Sequence, residues 1–130
     1  MTSALVALKQ KTLDGMLKYM RLGGAENEQD PHYDPEFEAG YTQEHVTECG
    51  RILDEYLEAL EDLPDGGTDE SILAQVKATL IQLNHLNDRC LGNLIETDQR
   101  EQLCALIQGA AEEAGLESDE SDITEEWREW

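Results

Sequence analysis

Basic residues are what this chain most lacks: nine lysines and arginines stand against 30 aspartates and glutamates, for a net charge of −21. Nucleic-acid phosphates and anionic lipid headgroups are repelled by such a balance, which argues against nucleic acid or a membrane surface as a partner. The few cations gather at the start, where Lys9, Lys11, Lys18 and Arg21 meet only Asp14. Four cations less one anion make residues 1–22 +3, so the rest must sum to −24 to give −21. A basic first helix against an acidic body would relieve self-repulsion.

Cysteine is scarce and unpaired in pattern. Cys49, Cys90 and Cys104 include no C-x-x-C, which argues against a zinc ribbon and a thioredoxin-like motif. Each sits in a helical apolar pattern and reads as a buried free thiol in a reducing compartment. No run of 18 apolar residues is present to span a bilayer, and Lys9 and Lys11 interrupt any signal-peptide core. The expectation is a cytoplasmic protein. Aromatics make up only 5% and hydrophobic residues 39% of the sequence.

Catalytic signatures are missing too. No G-x-S-x-G occurs, and Gly23-Gly24 and Gly66-Gly67 read as a helix stop and a turn rather than phosphate loops. His45 and Cys49 share a helix face at i, i+4, but no second pair completes a metal site. A di-iron bundle needs Glu three residues before His, whereas Gln29, Thr42 and Gln82 precede His32, His45 and His85. Calcium would need a glycine at the sixth position of the loop starting at Glu26, where Pro31 stands. No metal, cofactor or catalytic residue is expected.

What is present is helical periodicity. The pattern predicts one all-α domain over 1–130, with four main helices in an antiparallel bundle and a short C-terminal helix. Helix 1 spans about Ser3 to Leu22, with Leu5, Leu8, Leu13, Met16, Leu17 and Met20 at helical spacing, Gly15 weakening its middle and Gly23-Gly24 ending it. Helix 2 runs from near Thr42 to Leu63-Pro64. Its apolar positions Val46, Cys49, Leu53, Tyr56, Leu60 and Leu63 step 3, 4, 3, 4, 3. After the Asp65-Gly66-Gly67 turn, helix 3 is N-capped by Thr68 and repeats that step through Leu73, Val76, Leu80, Leu83, Asn87 and Cys90. Two matching stripes on a short connection predict a packed antiparallel hairpin. Helix 4 opens at Thr97 with Thr97 and Asp98 satisfying its first amides, and closes at Gly115 with Leu116 behind it. Past an acidic spacer at 117–121, Asp122 and Glu125 resemble a capping box. Ile123, Trp127 and Trp130 then share a face over 122–130, which predicts a short docked helix.

Two groups of residues stand out as candidate sites. Residues 25–40 form an acidic connection with Pro31 and Pro35 and no basic residue, in which Glu26, Glu28, Asp30, Asp34, Glu36 and Glu38 could meet a cationic partner. Such a long connection is either functional or poorly ordered, and His32, Tyr33 and Phe37 could pin it. In helix 3, Asn87 falls within the apolar stripe, as a register-fixing buried amide or as the floor of a pocket with His85, Asp88 and Arg100. Arg100 could pair with Asp88 or another nearby acid.

The stretches Gln-Leu-Asn-His-Leu-Asn (82–87), Leu-Ile-Glu-Thr-Asp-Gln-Arg-Glu (94–101) and Asp-Ile-Thr-Glu-Glu-Trp-Arg-Glu-Trp (122–130) resemble a group of short bacterial proteins of unknown function. That resemblance implies a helical, acidic protein. Some similar proteins are encoded beside polymorphic toxins and are thought to act as immunity proteins, which implies a basic protein as partner. The leading expectation is therefore an acidic module that masks such a partner through the 26–38 loop and the acidic faces of helices 2 and 4. Its rivals are a small-molecule or metal-dependent enzyme around His85, Asn87, Asp88 and Arg100, and a homodimer joined through the tryptophan face.

Overall fold

The computed structural model describes residues 2–63, 68–117 and 122–130; the expected Asp65-Gly66-Gly67 turn and most of the 117–121 spacer lie outside them. The described residues form a bundle of four helices: α1 (Ser3–Leu22), α2 (Gln43–Glu61), α3 (Asp69–Arg89) and α4 (Thr97–Glu113). No helix among them is long and apolar enough to cross a membrane.

Local chemistry sets most helix ends. The Thr2 hydroxyl accepts from the Leu5 amide, and α1 stops at Gly23, whose φ of 62° places it in the region glycine tolerates. Thr68 caps α3 by accepting from the Ser71 amide at 3.1 Å, with Asp69 and Glu70 in the first turn where the helix dipole favours acid. The other end of α4 closes as the sequence predicts. The Leu116 amide reaches the Ala111 carbonyl at 3.0 Å and the Gly115 amide reaches Glu112 at 3.1 Å, around a Gly115 φ of 108°. Its start differs from expectation. Glu96 occupies the N-cap position with no side-chain bond, and Thr97 is already the first helical residue.

Apolar stripes then drive assembly. Val46, Cys49, Leu53, Tyr56 and Leu60 of α2 are buried as expected, joined by Ile52 and Leu57. On α3 the buried stripe begins at Ile72 rather than Leu73 and continues through Val76, Leu80 and Leu83 to Leu86. Each fully buried aliphatic side chain contributes roughly 1.5–3 kcal/mol relative to exposure. α2 packs mainly on α3, and α1 packs on α4 and α2. Register is visible in single contacts: a Cβ on Gly15 would lie 3.2 Å from Gln99 Nε2, and one on Gly109 would lie 3.2 Å from Leu5 Cδ2. Gly15, read from sequence as a weak point, is thus where α4 comes close to α1.

Several buried hydroxyls are satisfied at or near the helix contacts. The Tyr56 hydroxyl donates to the Ile107 carbonyl and the Tyr41 hydroxyl to the Met16 carbonyl, each at 2.7 Å. Thr12, fully buried in α1, donates back to the Leu8 carbonyl at 2.8 Å, which is how a helix accommodates a hydroxyl without leaving it unpaired.

The C-terminal segment departs from the sequence reading. Residues 123–127 form consecutive turns in place of the helix expected over 122–130. The amides of Trp127 and Arg128 both bond the Thr124 carbonyl, a single turn. Asn84 then takes the next backbone groups. Its Nδ2 donates to the Trp127 carbonyl at 2.8 Å and its Oδ1 accepts from the Glu129 amide at 3.1 Å, so those groups are committed to a side chain rather than to a helix. Ile123 is buried, while Trp127 and Trp130 are half-buried against the core. The expected Asp122 cap survives in altered form, with its Oδ1 accepting from the Thr124 amide at 2.9 Å.

Candidate functional site

The four candidates on α3 and α4 do not converge. His85, Asp88 and Arg100 are exposed, whereas Asn87 is buried. The Asn87 Oδ1 accepts from the Ile95 amide at 3.0 Å, and its carbonyl accepts from the Gly92 amide at 2.8 Å. Asn87 therefore shapes the α3–α4 connection rather than fixing register between two helices. No hydrogen bond or ion pair joins Arg100 to Asp88 among the described residues. The neighbouring Asn84, which the sequence reading gave no role, bonds the C-terminal segment from α3, while Gln108 of α4 accepts from the Ile123 amide at 3.1 Å. The signal for Asn84 was its position, one turn from Leu80 and Asn87 on the buried side of α3.

The helix 2 pair is structural as well. His45 Nδ1 accepts from the Thr42 amide at 3.0 Å, which caps the start of α2. Cys49 is fully buried, and burial pushes its thiol up to about 12, far from the thiolate that metals and electrophiles need. Cys90 is shifted upward by burial as well. No group of three or more His, Cys, Asp and Glu side chains is placed to hold a metal ion among the described residues.

The acidic connection is built of turns that use part of its own acid. The Asp30 carboxylate accepts from the Glu26 amide at 3.0 Å and from the His32 amide at 2.8 Å, and these bonds hold its pKa below the usual aspartate value. Asp34 accepts from the Glu36 amide at 2.9 Å, and Asn27 from the Gln29 amide at 2.9 Å. These are local side-chain turns of the kind Asp and Asn favour. The Phe37 ring meets Tyr19 edge-on at 5.4 Å, and Ala25 is buried, so both ends of the loop are tied to α1. His32, a third expected pin, is exposed, and Tyr33 is half-buried. Of the six acidic candidates, Asp30 and Asp34 shape the loop, whereas Glu26, Glu28, Glu36 and Glu38 are exposed.

Elsewhere four of the chain's nine lysines and arginines are held by its own acids. Lys9 bonds Asp54, Arg51 bonds Glu55 at 2.8 Å, Arg89 bonds Glu48 at 2.6 Å, and Arg128 lies 3.4 Å from Asp122. The Arg89 bond draws Glu48 below its ordinary pKa. Each pair joins one cation to one acid, so the net charge of −21 is carried by the acids that remain.

One opening has a different character. A groove of about 430 Å³ is lined by Leu5 of α1, Leu57, Leu60 and Glu61 of α2, and Ala110 and Glu113 of α4, with Thr2 and Ala114 beside them. A smaller hollow of about 170 Å³ shares Leu57 with it and continues to Val6, Lys9, Asp54 and Glu58. Comparison with protein-family models, with characterised proteins and with solved structures finds no match to the chain.

Proposed function

We propose that this chain is an acidic binding protein that masks a cationic partner protein, as an immunity or inhibitor protein does. The observation that carries the reading is the charge arrangement: Lys9, Arg51, Arg89 and Arg128 are tied to acids of the chain itself, in a protein of net charge −21. The remaining acidic surplus is directed outward, and a surface of one sign attracts a partner of the other from a distance. In this reading the bundle is a rigid antiparallel scaffold. Glu48 beside Arg89 and Thr2 beside Glu113 are the contacts expected of neighbouring helices that run in opposite directions. The exposed Glu26, Glu28, Glu36 and Glu38 extend the acidic surface along the loop that Asp30 and Asp34 keep in shape.

The test is capture from the source cell's lysate on the immobilised protein at low salt, followed by elution with increasing salt. The reading expects one dominant basic protein, released by moderate salt. It fails if no cationic protein is retained more strongly at low salt than at high.

A further inference from the structure

We infer that the groove between the N-terminal turn of α1 and the C-terminal turns of α2 and α4 is the docking site for a cationic amphipathic segment of that partner. The inference deepens the masking reading and rests on it. The groove's floor is aliphatic, formed by Leu5, Leu57, Leu60 and Ala110, each mostly covered by its neighbours yet bordering the opening. Val6, 50% exposed, extends this apolar surface into the adjoining hollow. Beside the floor stand the carboxylates of Glu58 and of Glu113, the latter accepting from the Thr2 hydroxyl at 3.3 Å, and Lys9 at that border is bonded to Asp54.

An apolar floor with an acidic edge selects by chemistry. A fatty acid or a phosphate-bearing ligand would bring negative charge to the carboxylates, and a neutral apolar molecule would gain nothing from their charge. A segment with apolar residues on one face and lysines or arginines flanking them satisfies both features. Helix-in-groove recognition uses this arrangement, with apolar anchors spaced along one face of the bound helix. A volume near 430 Å³ lies within the ~300–1,000 Å³ range of functional clefts and suits a small number of anchor side chains.

The experiment titrates the intact protein with two synthetic helical peptides of equal positive charge, one carrying leucines along one face and one with serines in their place. Methyl resonances of Val6, Leu5, Leu57 and Leu60 are followed by NMR. The inference expects the leucine peptide to bind at least tenfold more tightly and to shift those methyls. Ala114→Phe, which fills the groove from its half-buried edge, should abolish that advantage, and Val6→Asp should reduce it at a solvent-facing position where folding is not at stake. Equal binding of both peptides, with neither variant having an effect, overturns the groove while leaving the acidic-surface reading standing. Binding of neither peptide overturns both. A concentration-dependent dimer dispersed by Ala114→Phe would assign the groove to a second copy of the chain and likewise overturn the inference.

Discussion

Asn84 grips the backbone on either side of Arg128, donating to the Trp127 carbonyl at 2.8 Å and accepting from the Glu129 amide at 3.1 Å. The C-terminal segment is therefore fastened to α3 by one buried amide, with Ile123 and the two tryptophans packing beneath it. Asn84→Ala leaves both backbone groups without their partner, at a cost of about 1–3 kcal/mol. Because the chain's two tryptophans both lie in this segment, their emission reports its docking. We expect a red shift in Asn84→Ala with far-UV helix content retained; unchanged emission would show that Asn84 does not hold the segment.

Leu91 sits at a φ of 57° just past α3 and is 87% exposed. Its amide and that of Gly92 close the helix, so the left-handed geometry is needed at that position, but the leucine side chain gains almost no burial there. Glycine adopts this geometry without steric cost. Leu91→Gly should raise stability by about 0.5–1 kcal/mol, net of glycine's greater freedom in the unfolded chain. Thermal unfolding should move upward by a few degrees; a lower midpoint would mean the leucine makes contacts that outweigh its strain.

Glu48 supplies a pH signature. Its pKa is depressed by the bond from Arg89, so its contribution is present above the unfolded carboxylate pKa and is lost as pH falls through the lower folded value. Arg89 is more than half exposed, and solvent screening keeps the contribution of the pair small. Glu48→Gln should be slightly less stable than the parent at neutral pH. The gap should close below roughly pH 4, where carboxylates protonate. A gap that persists unchanged in acid would assign the loss to packing instead.

Thiol reactivity separates the cysteines. Cys49 is fully buried with its thiol pushed up to about 12, and Cys90 is also buried, while Cys104 is half-buried beside Thr124. Alkylation of the native protein, followed by mass spectrometry, should modify Cys104 first and the other two only on unfolding. Early modification of Cys49 would contradict the closed α2–α3 contact.

The all-helical bundle was legible because amphipathic spacing is a local property: the α2 stripe and the Thr68 and Gly115 caps follow from residues three and four apart. The C-terminal segment was not, because Asn84 lies far from Trp127 in sequence and its bonds redirect a pattern that reads as helical. The pocket expected around His85 fails for a related reason. Sequence places His85, Asn87, Asp88 and Arg100 near one end of two helices, but side-chain direction turns Asn87 inward and the others to solvent. The groove went unread altogether. Its lining comes from three helices, and each of its leucines looks like ordinary core when its own helix is considered alone.

The central claim is that surplus acid draws a cationic protein to this surface. It is tested most directly by the association rate constant with the captured partner, measured by stopped flow across ionic strength. Charge-steered association should slow at least tenfold between about 0.05 and 0.5 M salt as the Debye length contracts, with a smaller change in the dissociation rate. An association rate that stays flat over that range would contradict the account and leave the acidity as a solvated surface.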